Sequence, residues 1–275
     1  MAVDAWGKNE YLEGIVCLSR ESGLSAAELS EAAAKADLEG SLVISDVFLH
    51  GDGDAEIPFL LYRREGDPPD PEEGKARFLY LGEGPMEEED WDWDYLEQVY
   101  RRLHEIPLRI LETERCILRE THESDVDALY ELYEGPGITD YMEPLFSERE
   151  RELAYTAAYR ENVYEPYGFG VWTVILKETF EIIGRVGISY RPGYPDPELG
   201  FMIGAPYQRQ GYALETCRAC LDYGREQSFD RIIALVQPGN AASEALCGQL
   251  GMEPQGETED GGIRYTLFAV DLKTP

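Results

Sequence analysis

Between residues 178 and 181 the chain has room for a turn and nothing more. GVWTVILKE (170–178) and EIIGRVGISY (181–190) both read as strands, and only ETFE joins them. Parallel strands need a crossover of a dozen or more residues, so this pair is expected as an antiparallel hairpin. A third strand, ELGFMIG (198–204), follows the Pro/Gly-rich turn RPGYPDP. The period then changes. After APYQRQGYA (205–213), apolar positions 213, 214, 217, 220, 221 and 224 recur at helical spacing, while Arg218, Asp222 and Arg225 fall on the other face. This predicts a helix from about Tyr212 to Gln227. RIIALVQ (231–237) reads as a strand, Ala241 to Leu250 as a helix closed by Gly251, and IRYTLFAVDL as a last strand. Upstream, CILRE (116–120) is a strand, and Ser124 to Tyr133 is a short helix with Val126, Leu129, Tyr130 and Tyr133 on one face, broken by GPG (135–137). Ser147-Glu-Arg-Glu150 has capping-box spacing and should open a helix running to about Tyr164.

The first hundred residues have their own pattern. Residues 24–40 predict a helix capped by Ser25, with Glu28 completing a capping box, Leu24 and Leu29 at staple positions, and Gly40 after the end. SLVISDVFL, EIPFLLYRR and ARFLYLG read as strands, with the polar loop EGDPPDPEEGK between the last two. An acidic run, EEEDWDWD (87–94), leads into a helix, YLEQVYRRL (95–103). This is a small separate α/β unit ending near Ile106-Pro107, so two domains are expected, 1–104 and 105–275. The first contains no glycine-rich phosphate loop, and no motif in the sequence around Asp46, at the end of a strand, points to chemistry there, which suggests an accessory or substrate-recruiting role.

Charge narrows the choice of partners. The chain has 55 acidic and 24 basic residues, a formal net charge of −31. Residues 1–104 hold 25 of the acids, so no single acidic tail accounts for the total. Such a surface argues against nucleic acid and anionic membrane as partners, since both require Lys and Arg. It favours cationic amines, or serves solubility alone. Five cysteines are neither an even count nor a dense scaffold, which fits a reducing cytoplasm. MAVDAWGKNEYLEG has no basic n-region and no apolar h-region, so no signal peptide is expected, and no window of about 18 apolar residues predicts a membrane span.

The turn APYQRQGYA invites an anion. A helix N-terminus presents unpaired N–H groups and about half a positive charge, so it binds phosphates without needing many basic side chains. Gly211 allows a tight turn and close approach, Ala213 keeps that approach open, and Gln208 and Arg209 can add donors. Read alone, Q-x-x-G-x-A also describes an ordinary surface turn.

Order and context go further. The succession strand, QRQGYA, helix, strand, PGNAAS, helix, LGM resembles the GCN5-related N-acetyltransferase (GNAT) superfamily. LETERCILRETHESDVDALYEL, PELGFMIGAPYQRQGYALE and NAASEALCGQLGM are similar to its RimJ/RimL-type branch, over residues ~107–273. The resemblance implies a mixed, mostly antiparallel central sheet with flanking helices, behind the small α/β domain. It implies acetyl-CoA as co-substrate, and as acceptor a protein N-terminus, an amino acid or another small amine. By the same resemblance the main chain of Phe201, Met202 and Ile203 pairs with the pantetheine arm. The turn Gln208, Arg209, Gln210, Gly211, Tyr212 and Ala213 receives the pyrophosphate, and Asn240 and Ser243 contact the cofactor. Two neighbouring strands are implied to splay apart and admit the pantetheine like an added strand.

Acetyl transfer requires a neutral amine, and a lysine-type amine has a pKa of about 10.4, so a base or a water chain must take its proton. Glu198 matches the family's base position and shares a strand face with Gly200 and Met202 by alternation; otherwise it is one more exposed acid at a strand end. Many family members donate to the leaving thiolate from a Tyr seven residues after the Asn. Here that position is Cys247. Ser243 is then the candidate donor, or simply a first-turn helix residue. Cys217 and Cys220 lie on the apolar stripe in mid-helix without a second pair at zinc spacing, and His50, His104 and His122 are the only histidines, so core packing is expected and no metal. Gly184, Gly187 and Gly193 lie in a strand and its turn, not before a helix. Tyr141, Tyr155, Tyr159, Tyr164, Tyr167, Phe169 and Trp172 line an acceptor cleft or pack the core. Two functions compete: an N-acetyltransferase, monomeric or homodimeric, and a catalytically weak acetyl-CoA-binding regulatory module, the latter kept open by Cys247. A weaker third makes residues 1–104 a protein-interaction domain.

Overall fold

The computed structural model describes residues 14–19, 22–38, 40–51, 56–69, 71–86 and 91–273. The stretch read above for a leader, up to residue 13, and residues 87–90 of the acidic run lie outside the described residues. The chain divides into two compact units between Leu108 and Arg109.

In the first unit, β1 (Gly14–Leu18), β2 (Ser41–Ser45), β3 (Leu60–Arg64) and β4 (Leu79–Gly82) form a parallel sheet in sequence order. α1 (Ala26–Leu38) makes the β1–β2 crossover, and α2 (Trp93–Leu103) follows β4. Strand alternation divides the apolar side chains. Val43 and Leu61 pack with Leu29, Ala33 and Ala36 of α1, while Leu42, Ile44, Leu60 and Tyr62 pack with Leu96, Val99 and Tyr100 of α2. The Ser25–Glu28 capping box is present: the Ser25 amide donates to Glu28 at 2.8 Å and the Glu28 amide to Ser25 Oγ at 3.3 Å. β1 was not anticipated, because GIVCL is only five residues long and shows no apolar–polar alternation.

The second unit is built on an eight-stranded sheet in the order β11-β12-β10-β9-β8-β7-β6-β5. Its strands are β5 (Arg109–Glu112), β6 (Cys116–Arg119), β7 (Val171–Leu176), β8 (Ile182–Ser189), β9 (Glu198–Ile203), β10 (Arg231–Val236), β11 (Glu253–Asp260) and β12 (Ile263–Asp271). Every neighbouring pair is antiparallel except β9–β10, which is parallel, so the expected mixed, mostly antiparallel sheet is present. The helices are α3 (Val126–Tyr133), α4 (Arg149–Tyr159), the one-turn α5 (Glu165–Tyr167), α6 (Tyr212–Glu226) and α7 (Ala241–Gln249). α6 buries Cys217, Cys220 and Leu221 against the central strands, while Leu129, Leu132 and Tyr133 of α3 cluster with Met202. A buried bidentate pair, Arg119 to Asp125 at 2.5 and 2.6 Å, ties β6 to the start of α3.

Three expectations need correction. Ser147 does not cap α4: its hydroxyl donates to Glu148 at 2.9 Å, and the helix starts at Arg149 with no side-chain cap. The helix does not run evenly to Tyr164 either. It widens into a π turn over Arg160–Tyr164, where Arg160 turns inward to Glu123 at 3.1 Å. On α3, Leu132 is buried and Tyr130 is half-buried, its hydroxyl donating to the Phe146 carbonyl at 2.5 Å.

Candidate active site

β9 and β10 meet through one residue pair. Glu198 lies opposite Ile233, and the Ile233 amide donates to the Pro197 carbonyl at 3.0 Å. Beyond that point the strands part. On its β10 side, the main chain from Leu199 to Ile203 has no ladder partner among the described residues, an unusual state for buried backbone. The wedge opens into a cavity of about 1690 Å³, lined by β9, the 207–214 turn, the end of β10 and the first turn of α7. A smaller hollow of about 770 Å³ lies beside Leu132, Phe180, Glu181 and Pro206. It contains neither the strand separation nor the helix terminus, so the wedge is the stronger candidate.

The turn at the mouth of the wedge is the one singled out in the sequence. Gly211 is the N-cap of α6 with φ +87°, and Arg209 also has positive φ, +63°. Among the described residues, the amides of Gln210, Gly211, Tyr212 and Ala213 donate to no protein acceptor. They are the open donors that a helix N-terminus leaves. The glutamine side chains also brace the turn. Gln208 Nε2 donates to the Ile203 carbonyl at 2.9 Å and Gln210 Nε2 to the Pro206 carbonyl at 3.0 Å, while Gln208 lines the cavity. Arg115 adds an unforeseen support. It donates to the Gln210 carbonyl at 3.0 Å, is held by Glu215 at 2.7 Å, and its guanidinium lies 4.2 Å over the Tyr212 ring.

On β9, Phe201 joins the α6 cluster and Met202 the α3 cluster, so Glu198, Gly200 and Met202 share the α3 face as alternation requires. Glu198 lines the cavity but is mostly buried, with a side-chain exposure of 15%. Burial pushes its carboxyl above the usual range. Arg191 opposes that shift, and Asp260 adds to it. Arg191 bridges the two acids, donating to Glu198 at 3.2 Å and to Asp260 at 2.5 Å. Neither Arg191 nor Asp260 stood out in the sequence. They come from the β8–β9 turn and the tip of the β11–β12 hairpin, which only the fold brings together.

Asn240 caps α7, its Oδ1 accepting from the Ser243 amide at 3.2 Å, and both residues line the cavity. Cys247 is fully buried in the core, and burial pushes its thiol up to about 12. Cys217 and Cys220 are likewise fully buried, their thiols raised by burial, as core packing requires. Cys116 is buried as well, and Cys116, Cys217, Cys220 and Cys247 are free thiols. Of the seven aromatics named in the sequence, Tyr141 and Tyr155 line the cavity. Tyr164, Phe169 and Trp172 are core, and the Tyr159 and Tyr164 hydroxyls bind the Val171 main chain at 3.1 and 2.5 Å. Tyr141 also straps the site: its hydroxyl donates to the Gly239 carbonyl at 3.1 Å and its carbonyl accepts from Gln237 at 3.0 Å. Among the described residues no cluster of His, Cys, Asp and Glu is arranged to hold a metal ion, and no helix is long and apolar enough to cross a membrane.

Comparison with known proteins places the same region. A family profile described as "Acetyltransferase (GNAT) domain" matches residues 115–253. The uncharacterized protein YkkB of Bacillus subtilis is 32% identical over 146 residues, covering 52% of this chain and 84% of that one. A Bacillus subtilis protein named as the uncharacterized N-acetyltransferase YnaD is 30% identical over 146 residues, 52% of this chain and 82% of that one. The solved structure of a GNAT-family acetyltransferase from Bacillus anthracis covers 59% of this chain and 98% of its own, at 24% identity and a TM-score of 0.50. Residues 1–108 have no part in the family match.

Proposed function

The chain belongs to the GNAT acetyltransferase family, and from that premise we propose that it moves the acetyl group of acetyl-CoA to a primary amine on a peptide N-terminus, an amino acid or another small molecule. Its motifs align it with the RimJ/RimL-type branch. The observation that carries the reading is the single-pair junction of β9 and β10, which opens beside a helix N-terminus with free amides. An extended arm ending in a polyanion suits that shape, because the arm can pair with a strand edge and the anion with amides. The main chain of 201–203 holds the pantetheine. The 208–213 turn holds the pyrophosphate, with Arg209 adding charge, and Asn240 and Ser243 flank the arm.

In this reading Glu198 accepts the ammonium proton, directly or through water, and a raised pKa brings its basicity closer to the working pH. The amine nitrogen then attacks the thioester carbonyl carbon. The developing oxyanion is met by a main-chain amide of the 201–203 stretch. The nitrogen, cationic after attack, gives up its second proton, the carbon–sulfur bond breaks with its electron pair on sulfur, and the Ser243 hydroxyl hydrogen-bonds to the departing thiolate, which takes up a proton to leave as the thiol. Cys247 is too deeply buried to take that part. Five cysteines, an odd and sparse count, suit a reducing cytoplasm, and residues 1–104 take an accessory or substrate-recruiting role. A panel of amines and peptides, each offered with acetyl-CoA and read by free thiol, tests the proposal. Thiol release that requires both partners is expected. Tight acetyl-CoA binding without release for any acceptor would instead favour a regulatory binding module, which the loss of tyrosine at 247 supports.

A further inference from the structure

Arg115 stands behind the 208–213 turn, in the short connection between β5 and β6, and its guanidinium is engaged on two sides. Nε donates to the Glu215 carboxylate at 2.7 Å, and Nη2 lies 2.7 Å from the same oxygen. Nη1 donates to the Gln210 carbonyl at 3.0 Å. Glu215 belongs to the first turn of α6, and two further donors hold it: the Arg115 amide at 2.8 Å and the Thr113 hydroxyl at 2.6 Å. The β5–β6 connection, the first turn of α6 and the peptide just before that helix are therefore one bonded unit.

The Gln210 carbonyl and the Gly211 amide belong to the same peptide. That peptide is trans, so its C=O and N–H point to opposite sides. Arg115 holds the carbonyl at the back of the turn. Gly211 lines the cavity, whereas neither Gln210 nor Arg115 does, so the amide is turned toward the wedge. Among the described residues that amide has no acceptor. A peptide that precedes glycine turns over at low steric cost, because glycine accepts φ of either sign. Without Arg115, the 210–211 unit is free to present its carbonyl, a partial negative charge, where the amide now stands. The same pairing cancels the Glu215 charge, which would otherwise repel an anion at this helix end. Resting on the acetyl-transfer reading, in which this turn receives the pyrophosphate, we propose that Arg115 is a positioning residue for the co-substrate: clamped by Glu215, it fixes the Gln210–Gly211 peptide so that the Gly211 amide meets the pyrophosphate. It acts through the turn and not on the phosphate. Its bond to the carbonyl also polarises the peptide and makes the same N–H a stronger donor.

The test uses the intact chain and two acetyl donors, acetyl-CoA and S-acetylpantetheine, which lacks the pyrophosphate and the nucleotide. Arg115→Met should raise KM for acetyl-CoA at least about tenfold, the scale of one lost hydrogen bond to a charged group, with kcat at saturation within about twofold. With S-acetylpantetheine, kcat/KM should stay within about twofold of the wild-type value. Combining Arg115→Met with Glu215→Gln removes both charges together and should keep the loss. Arg115→Lys keeps the charge without the planar fork and should fall between. An unchanged KM for acetyl-CoA in Arg115→Met overturns the proposal. So does an equal loss with both donors, the mark of general damage. Wild-type affinity in the double variant or in Arg115→Lys overturns it as well, because charge balance alone would then be at work. If neither methionine variant folds, Arg115→Lys carries the comparison. If no turnover is seen, the calorimetric Kd for CoA in the same variants decides: a loss kept in the double variant supports the proposal, and a loss that merely tracks the unfolding temperature overturns it. Acetyl-CoA titration and thiol release with the unmutated chain judge the acetyl-transfer reading separately.

Discussion

Glu198 and Ile233 are the one residue pair joining β9 to β10, and the candidate site is arranged around that joint. On one side of it, Arg191 and Asp260 hold the Glu198 carboxylate. On the other, the strands separate and the free edge of β9 leads to the N-terminus of α6. The proposed base, an open strand edge and the proposed pyrophosphate turn therefore lie in sequence along six residues of strand and the turn after it.

The turn can be tested alone. Gly211→Glu puts a charge where the pyrophosphate is expected and a side chain at φ +87°, a conformation that L-residues rarely adopt. Calorimetry should show acetyl-CoA affinity reduced at least about 100-fold, the scale of two or more lost hydrogen bonds to a charged group. Unchanged affinity in a folded variant would remove the turn as the phosphate site.

The Arg191 bridge predicts opposite pH shifts from its two flanks. As the proposed base Glu198 must be a carboxylate, so activity is expected above its folded pKa and should be lost as pH falls through it. Burial places the acid limb of kcat/KM above that of an ordinary glutamate, about 4.3. Arg191 holds the carboxyl down, so Arg191→Gln should move the limb to higher pH. Asp260 pushes it up and competes for Arg191, so Asp260→Asn should move the limb to lower pH. Two shifts in the same direction would refute the bridge.

Stability of the second unit should depend on Arg119–Asp125, whose side chains are 2% and 4% exposed. Asp125→Ala leaves a buried guanidinium unpaired and should cost about 3–5 kcal/mol by denaturant or thermal unfolding. A loss below about 1 kcal/mol would mean that water reaches the pair.

Ser243 and Cys247 separate by their reach. Ser243 lines the cavity and Cys247 does not. Ser243→Ala should lower kcat about 10–100-fold, the scale of one hydrogen bond to a charged group, while Cys247→Ala should leave it within about twofold. A large kcat loss from Cys247→Ala would reassign the proton donor.

The sequence was most legible where the signal is local. Hairpin spacing at 178–181, the amphipathic stripe of α6 and the Ser25–Glu28 box each rest on contacts within a few residues. β11 escaped notice because EPQGETED has no apolar alternation; it is a largely exposed edge strand, defined by pairing with β12. Ser147 misled because spacing permits a capping box without enforcing one, and Glu148 was the nearer partner. The site was partly legible. Glu198, the turn and Asn240 were named by resemblance, and all three line one cavity. Arg191–Asp260 and the Tyr141 strap join residues 69 to 98 positions apart, and no periodicity encodes such a meeting.

The central claim is that Glu198 is the base of an acetyl transfer in this wedge, and Glu198→Gln tests it most directly. The change keeps size and hydrogen bonding but removes basicity. General-base catalysis contributes about 10²–10⁴-fold, so turnover near pH 7 should fall by that range, acetyl-CoA affinity should stay within about twofold, and the deficit should shrink as rising pH neutralises more amine. pH–rate profiles of the two forms on one good acceptor make the measurement. Parallel profiles with less than a few-fold loss would contradict the account and leave the proton to solvent.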